Sequence, residues 1–333
     1  MQKIRTWIVV FLLLFSVFFV PKTQVYAAER EVYVGGMPAG FLMRLDGVQV
    51  VGFSGVVSQD GSVSPSEEAG LKIGDVIVSF DGEKVNSSDD LEHALAASDG
   101  GAAIVSCRRG KERFSTQICP VKERASGTYK IGVLIRDTVS GIGTVTCVDK
   151  ESGRFGALGH AVLGEDGELL QVANGKMYLC SIVNVNRGER GKAGELKGIF
   201  FNMTSLGTTD SSGKTGIFGS FDMDIAQKMP LAKTASLNDA KPGKAEIYTT
   251  VDGILPQKYS INIVKVDKSN KENKNFVIKI TDDRLLEVSG GIVQGMSGSP
   301  ILQNGKLIGA VTHVFLNDPT RGYGIGIEQM FAS

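Results

Sequence analysis

The chain has 333 residues, 42% of them hydrophobic and 22% charged, and its 36 basic side chains balance its 36 acidic ones. A chain of this length exceeds one ordinary core and predicts about two domains of roughly 100–200 residues. The net charge of zero excludes the strongly basic surface with which nucleic-acid binders displace counterions, so we expect no nucleic-acid partner. The 42 glycines and the 7% aromatic content favour many turns and short strands, and therefore a mainly β chain.

Residues 1–28 have the pattern of a secretory signal. A basic start precedes the apolar run Trp7–Val20, and the segment ends in Ala27 and Ala28. This order predicts export, with cleavage after one of the two alanines. The alternative is an uncleaved signal anchor that associates with the membrane through residues 7–20, although this run is shorter than the ~20 residues that usually span a bilayer.

Residues 31–123 are predicted to form one compact, β-rich unit. A strand at Val76–Phe80 ends in the hairpin turn Asp81-Gly82, an amphipathic helix covers Leu91–Ala97, and a further hairpin closes the unit. Together with the preceding Ala69-Gly70-Leu71-Lys72 segment, this order resembles a PDZ domain of the kind found beside bacterial proteases.

The PDZ resemblance implies a peptide ligand, because such domains add a peptide as a strand and hold its terminal carboxylate with a glycine-rich loop. In the glycine-rich segment 35–42, Gly40, Phe41 and Leu42 have the expected glycine–apolar order. We therefore predict that these three residues bind a peptide or a C-terminal tail. The alternative is that the glycines only shape a turn.

Residues 127–333 are predicted to form a second domain. Short apolar runs alternate with turns throughout this region, and no helical periodicity extends over ten residues. This pattern is typical of a β-sandwich or a β-barrel rather than of α/β units.

The four cysteines offer no metal-binding pattern. Cys107, Cys119, Cys147 and Cys180 form no C-x-x-C pair, and none lies at metal-ligand spacing from a histidine. We therefore expect neither a metal nor a cofactor. We favour free buried thiols over disulfides, both of which an exported chain allows.

The segment 291–313 carries the strongest chemical signal. Gly295 and Gly298 bracket Ser297, which allows a tight turn that presents the hydroxyl and directs backbone N–H groups to one point. The order of this turn, the following strand and the Asn304-Gly305 turn resembles the nucleophile region of chymotrypsin-like proteases. The resemblance implies a double β-barrel in which Ser297 is the nucleophile and the N–H groups of Gly295 and Ser297 form the oxyanion hole. Ser299 is the competing hydroxyl.

A serine nucleophile needs a base, and the second domain has two histidines. His160 follows an apolar strand early in this domain and precedes Ser297 by a distance that suits two barrels, so we predict that it is the base. His313 lies on the strand that would line the substrate pocket, together with Thr312 and Val314, where it contacts substrate or simply packs. From the chymotrypsin order, the orienting carboxylate is Asp222 or Asp224.

Several segments together resemble the stage IV sporulation protein B family. They are Gly156-Ala157-Leu158-Gly159-His160, Ile280-Thr281-Asp282, residues 290–301 and residues 309–315, after the signal and PDZ segments. The resemblance implies His160 as base and Ser297 as nucleophile, and it implicates Asp282 as the third member. A carboxylate that caps a strand end is the alternative for Asp282.

The family resemblance also implies a signalling role. Such peptidases are exported from the forespore into the space between its two membranes, where they cleave themselves. They then cleave a regulatory subunit of a membrane metalloprotease complex, which activates a late mother-cell sigma factor. Two alternatives remain open: a general quality-control protease of the HtrA type, and a PDZ scaffold with an inactive protease domain.

Overall fold

The computed structural model describes residues 29–164, 169 and 172–332, so the predicted signal segment 1–28 lies outside the described residues. The described chain is built almost entirely of strands. The strands are β1 (Glu31–Val34), β2 (Pro38–Phe53), β3 (Val56–Val57), β4 (Ser62–Val63), β5 (Val76–Phe80), β6 (Glu83–Lys84), β7 (Ala103–Arg109), β8 (Glu112–Ile118), β9 (Val121–Lys122), β10 (Tyr129–Lys130), β11 (Val133–Asp149), β12 (Arg154–Ala157), β13 (Val172–Asn186), β14 (Glu195–Gly213), β15 (Gly216–Phe221), β16 (Leu231–Lys233), β17 (Gly243–Thr249), β18 (Gln257–Val266), β19 (Phe276–Ile280), β20 (Pro300–Gln303), β21 (Lys306–Phe315) and β22 (Asp318–Gly326). The helices are α1 (Pro65–Glu68), α2 (Ser88–Ala97), α3 (Met223–Ala226), α4 (Asp283–Ser289) and α5 (Ile327–Phe331).

The first half of the peptidase region is a closed ring of antiparallel strands. The ring runs β2, β11, β12, β15, β14 and β13, and the pairing of β13 with β2 closes it. Apolar side chains from all around the ring fill its interior, among them Phe41, Phe155 and Met177. Fully burying one such side chain stabilises the fold by about 1.5–3 kcal/mol.

The second half is a separate six-stranded barrel in the order β17, β18, β19, β22, β21 and β20. Strand β18 shows why the sequence forms it: Tyr259, Ile261 and Ile263 are buried, whereas Ser260 and Asn262 between them are exposed. This alternation has the two-residue period of a strand with one face in a core. The predicted mainly β fold of a PDZ domain followed by a chymotrypsin-like double barrel is thereby confirmed.

The PDZ domain is inserted into the first barrel through two long strands. Strand β2 begins in the barrel and continues into the PDZ domain, where Val48 and Gln49 pair with β5. Strand β11 returns beside it, from Val133 opposite Phe53 to Thr144 opposite Pro38. The structure therefore differs from the predicted PDZ boundary at residue 31, because β1 and the first half of β2 pair with peptidase strands.

Two other sequence features can be placed. Cys107, Cys147 and Cys180 are buried free thiols, whereas Cys119 is free but exposed. No helix in the described ranges is long and apolar enough to cross a membrane.

Candidate active site

The loop that carries Ser297 is held in a sharp turn between the two barrels. Ser297 is half-buried, and its Oγ donates a hydrogen bond to the carbonyl of Thr312 at 2.9 Å. Gly298 has φ +96°, and a Cβ at this position would lie 2.1 Å from the carbonyl oxygen of Thr144. Only glycine fits there, so the glycine that follows Ser297 is a steric requirement of the turn.

Hydrogen bonds to the preceding carbonyls fix the orientation of the two amides predicted to form the oxyanion hole, because each amide shares a rigid peptide plane with that carbonyl. The carbonyl of Gln294 accepts from Leu196 N at 2.8 Å, and the carbonyl of Met296 accepts from Ser299 N at 2.9 Å. In a trans peptide the following N–H points away from that carbonyl, so these bonds fix the directions of the Gly295 and Ser297 amides. Among the described residues neither amide has a hydrogen-bond acceptor, which leaves both available to an oxyanion.

Strand β11 holds the other side of this loop. Thr144 donates twice, from its N–H to the carbonyl of Ser297 at 3.0 Å and from its Oγ1 to the carbonyl of Gly295 at 2.8 Å. The Oγ1 of Thr146 donates to the carbonyl of Gly298 at 2.7 Å. Both threonines are almost fully buried, so the nucleophile loop is fixed by hydrogen bonds that water does not compete for.

His160 is placed by a turn at the end of β12. Leu158 and Gly159 both have left-handed backbone angles, φ +70° and +71°, and they bring the chain against β21. The Nδ1 of His160 lies 2.7 Å from the carbonyl of Ala161. Because a carbonyl only accepts, Nδ1 carries the proton, and the lone pair of Nε2 is free to act as a base. Burial lowers the pKa of His160, against the opposing effect of the Ala161 carbonyl, so the ring is neutral at pH 7.

His313 is the second histidine of the site. Its ring centroid lies 5.2 Å from that of His160. Burial, followed by the nearby His160 and the cationic Lys274, lowers the pKa of His313 to about 4, so this ring is also neutral at pH 7. Two neutral imidazoles therefore face the same space without repelling each other.

Ser297, His160 and His313 line one cleft with a volume of about 530 Å³. Its remaining walls are mostly apolar, and they include Thr312 and Val314, the two other residues predicted to line the substrate pocket. Within the described ranges no cluster of three or more His, Cys, Asp or Glu side chains could hold a metal ion. The cleft brings together a serine hydroxyl, two neutral imidazoles and two backbone amide donors in a mostly apolar setting.

Asp282 does not take part in this arrangement. Its carboxylate caps helix α4 by accepting from Arg284 N at 3.2 Å, accepts from Ser260 N at 3.1 Å, and pairs with the Arg284 guanidinium at 3.0 Å. Arg284 first, and the Ser260 N–H after it, hold the pKa of Asp282 below its usual range. No hydrogen bond among the described residues joins Asp282 to His160, whose Nδ1 faces the carbonyl of Ala161, so Asp282 does not orient the ring in this structure and its catalytic role stays a prediction.

The other candidate residues also have structural partners. Asp222 caps helix α3 by accepting from Asp224 N at 2.9 Å, both carboxylates are exposed, and neither is among the described residues that line the cleft with His160. Ser299, the competing hydroxyl, is fully buried and its Oγ lies 3.0 Å from Thr249 Oγ1. A substrate cannot reach a hydroxyl in that position.

The structure corrects the predicted PDZ peptide-binding residues. Gly40, Phe41 and Leu42 lie in the barrel half of β2, with β11 paired along one edge and β13 along the other. Phe41 is 1% exposed and packs inside the first barrel. Because both edges of this segment are occupied, it cannot add a peptide strand.

The groove of the PDZ domain lies between its helix α2 and the start of strand β11. Asp137 accepts from Ser88 N and Oγ at the first turn of α2, and Tyr129 donates to Asp99 just beyond its last turn. Strand β2 pairs with one edge of Val133–Asp137, and no described strand pairs with the edge that faces α2. The sequence contains a second segment with this signal: Gly132-Val133-Leu134 has the same glycine–apolar order as Gly40-Phe41-Leu42, and Gly132 has φ +74°.

Comparisons with known proteins identify a PDZ domain and a peptidase domain. A PDZ domain model matches residues 41–118. A putative zinc metalloprotease of Clostridium perfringens is 30% identical over 70 residues, which is 21% of this chain and 21% of that protein, so the match spans about a fifth of that relative. The PDZ domain of the SdrC-like protein Lmo2051 from Listeria monocytogenes aligns at 23% identity and a TM-score of 0.22, over 27% of this chain and 87% of that one. A SpoIVB peptidase S55 model matches residues 127–331, well over half of the chain, and the protein therefore belongs to this family of serine peptidases.

Proposed function

We propose that this protein is an exported serine endopeptidase that forms an acyl-enzyme at Ser297 with His160 as general base. The observation that carries the proposal is the meeting of Ser297, the neutral His160 and two oriented, unoccupied amides in one cleft. A serine hydroxyl is a weak nucleophile alone, and these are the groups that activate it and stabilise the charge that develops.

The chemistry follows from these positions. The Ser297 hydroxyl leaves the carbonyl of Thr312, turns towards Nε2 of His160 and gives up its proton as Oγ attacks the substrate carbonyl. The amides of Gly295 and Ser297 bind the resulting oxyanion. His160, held by the carbonyl of Ala161, then protonates the leaving amine. Water repeats the sequence with His160 as base and releases the acyl group.

Substrate is expected to bind as an added strand. Beyond Ala310, strand β21 pairs with β22 along one edge, and no described strand pairs with its other edge at Thr312–Val314. The free edge lies along the cleft that contains Ser297. An extended polypeptide that pairs there places its backbone across the nucleophile, whereas a folded segment cannot.

We infer from the family a signalling substrate rather than a digestive role. The expected reactions are self-cleavage near the N-terminus and cleavage of a regulatory subunit of a membrane metalloprotease complex, which leads to activation of a late mother-cell sigma factor. The expected location is the intermembrane space of the forespore, close to the membrane. The groove between Val133–Asp137 and α2 is a suitable place to hold the enzyme's own N-terminal segment or the tail of the target.

The test uses the purified full chain, its Ser297→Ala and Ser299→Ala variants, and the purified regulatory subunit. Self-cleavage and subunit cleavage should both be lost in Ser297→Ala, whereas Ser299→Ala should keep most activity if it folds. Self-cleavage by pure Ser297→Ala would contradict the proposal. Rapid degradation of unfolded casein with no preference for the subunit would instead favour a quality-control protease.

A further inference from the structure

A second depression lies on the outside of the first barrel, next to the catalytic cleft. This outer groove has a volume of about 360 Å³, and its walls include Gly141 and Ile142 of β11 and Gly198, Ile199 and Phe200 of β14. No charged side chain is among the described residues that line it. Its chemistry therefore suits an apolar ligand group.

The shape of the outer groove depends on close packing around it. The ring of Phe200 lies directly over Gly40, and it meets Tyr178 edge to face with ring centroids 5.7 Å apart. A Cβ at Gly198 would lie 2.5 Å from the Cys180 sulfur and 3.0 Å from Ile142. The aromatic wall and the glycine floor are thus fixed by the strands beneath them.

The groove exposes apolar surface that the described fold does not cover. Ile199 is 59% exposed and Phe200 is 40% exposed, although both belong to a strand of the closed barrel. Contiguous exposed apolar residues on a soluble domain mark binding sites more often than single ones do. A ligand that covers these side chains gains the hydrophobic free energy that folding leaves unused.

The outer groove is continuous with the catalytic cleft. Ser140, Gly141 and Ile142 line both cavities. Two residues later on the same strand, Thr144 holds the carbonyls of Gly295 and Ser297. A chain bound across Ser297 can therefore run over β11 into the groove, and an extended chain covers about 3.3 Å per residue.

We propose that the outer groove is a remote subsite that binds an apolar side chain of the polypeptide substrate, two or more residues from the scissile bond. The continuity of the two cavities favours the substrate itself over a lipid or a separate partner. The inference rests on the serine peptidase activity proposed above, and it is independent of which protein is the natural target.

The test is a specificity switch. Wild-type enzyme and an Ile199→Lys variant are incubated with a synthetic peptide library in which every position varies over all residue types, and mass spectrometry identifies the cleavage sites. Wild-type sites should show an apolar preference at one position remote from the scissile bond. In Ile199→Lys that position should change to Asp or Glu, and kcat/KM for the best wild-type peptide should fall about tenfold or more.

Two further variants make the test decisive. In Gly141→Glu the added side chain meets no atom within 4 Å of its Cβ, so the fold should tolerate it. This variant should change the preference at the same substrate position towards Lys or Arg, and it replaces Ile199→Lys if that variant fails to fold. Val264→Lys, at a 42% exposed position on β18, is the control and should leave the profile unchanged.

The outcomes separate the two proposals. Labelling of Ser297 by a small fluorophosphonate does not involve the groove, so an unlabelled wild-type enzyme would contradict the peptidase function itself. A labelled, active enzyme whose cleavage profile is the same in wild type, Ile199→Lys and Gly141→Glu would overturn the subsite. Loss of binding to uncharged phosphatidylcholine vesicles in both Ile199→Lys and Gly141→Glu, without a change in profile, would also overturn it, and would assign the groove to the membrane.

Discussion

Replacing Asp282 tests whether this carboxylate orients His160, as the family resemblance implies, or only caps helix α4, as in the structure. If Asp282 oriented the catalytic histidine, Asp282→Asn would lower kcat about 10⁴-fold, as in known triads. In the structure this carboxylate caps α4 and pairs with Arg284, and the side chain of Arg284 is 64% exposed. The Asp282 side chain is 11% exposed, but an ion pair whose arginine lies in solvent is screened and contributes about 0–1 kcal/mol, and asparagine is as good an N-cap as aspartate. We therefore expect Asp282→Asn to keep activity within a few-fold of wild type.

The companion variant Asp282→Ala removes the cap as well. It should lower the free energy of unfolding by about 0.5–2 kcal/mol more than the asparagine variant does. The rate of fluorophosphonate labelling at Ser297 measures the catalytic machinery, and urea denaturation measures stability. Both variants should label at near wild-type rates under folding conditions. A folded Asp282→Asn protein that labels a thousand times more slowly would refute the assignment of the Ala161 carbonyl as the orienting group.

Three further predictions concern the site and the fold. Burial lowers the pKa of His160 below the usual histidine value of 6.5, so the base stays neutral to lower pH. When the rate of fluorophosphonate labelling is plotted against pH, its fall on the acid side should therefore have a midpoint below 6.5. A midpoint above 6.5 would contradict a neutral, buried base. Thr144→Val removes the hydrogen bond to the Gly295 carbonyl and should lower kcat about tenfold or more with little change in KM. Thr144→Ser keeps the hydroxyl and should restore kcat. An equal loss of kcat in the two variants would show that Thr144 acts through packing instead. Phe41→Ala should lower the free energy of unfolding by about 3–5 kcal/mol, since this ring fills the first barrel, and a variant that only loses peptide binding would contradict its position.

The positions of Ser297 and His160, the proposed catalytic pair, could be predicted because their sequence signal is local. Glycines on both sides of Ser297 specify a tight turn, and Gly298 is required by a contact that any side chain would break. His160 follows a strand and a glycine, which is enough to place it near a barrel end. The groups that hold these residues are different, since the carbonyl of Ala161 and the hydroxyl of Thr144 act through geometry that no sequence pattern encodes.

The errors have physical causes as well. The glycine–apolar order occurs both at Gly40-Phe41-Leu42 and at Gly132-Val133-Leu134, and the sequence does not tell which segment faces helix α2 of the PDZ domain. The structure decides, because β2 is paired on both edges at Phe41 and β11 is paired on one edge at Val133. The PDZ boundary was misplaced for the same reason: strands far apart in sequence close one barrel, and that pairing is not visible along the chain.

The nucleophile can be identified directly by mapping the residue that a fluorophosphonate modifies. The full chain, incubated with the probe and digested, should carry one adduct, on the Oγ of Ser297. The adduct should be absent from Ser297→Ala and should form at least a hundredfold more slowly in His160→Gln. An adduct on Ser299, or undiminished labelling of Ser297→Ala, would contradict the assignment of Ser297 as the nucleophile.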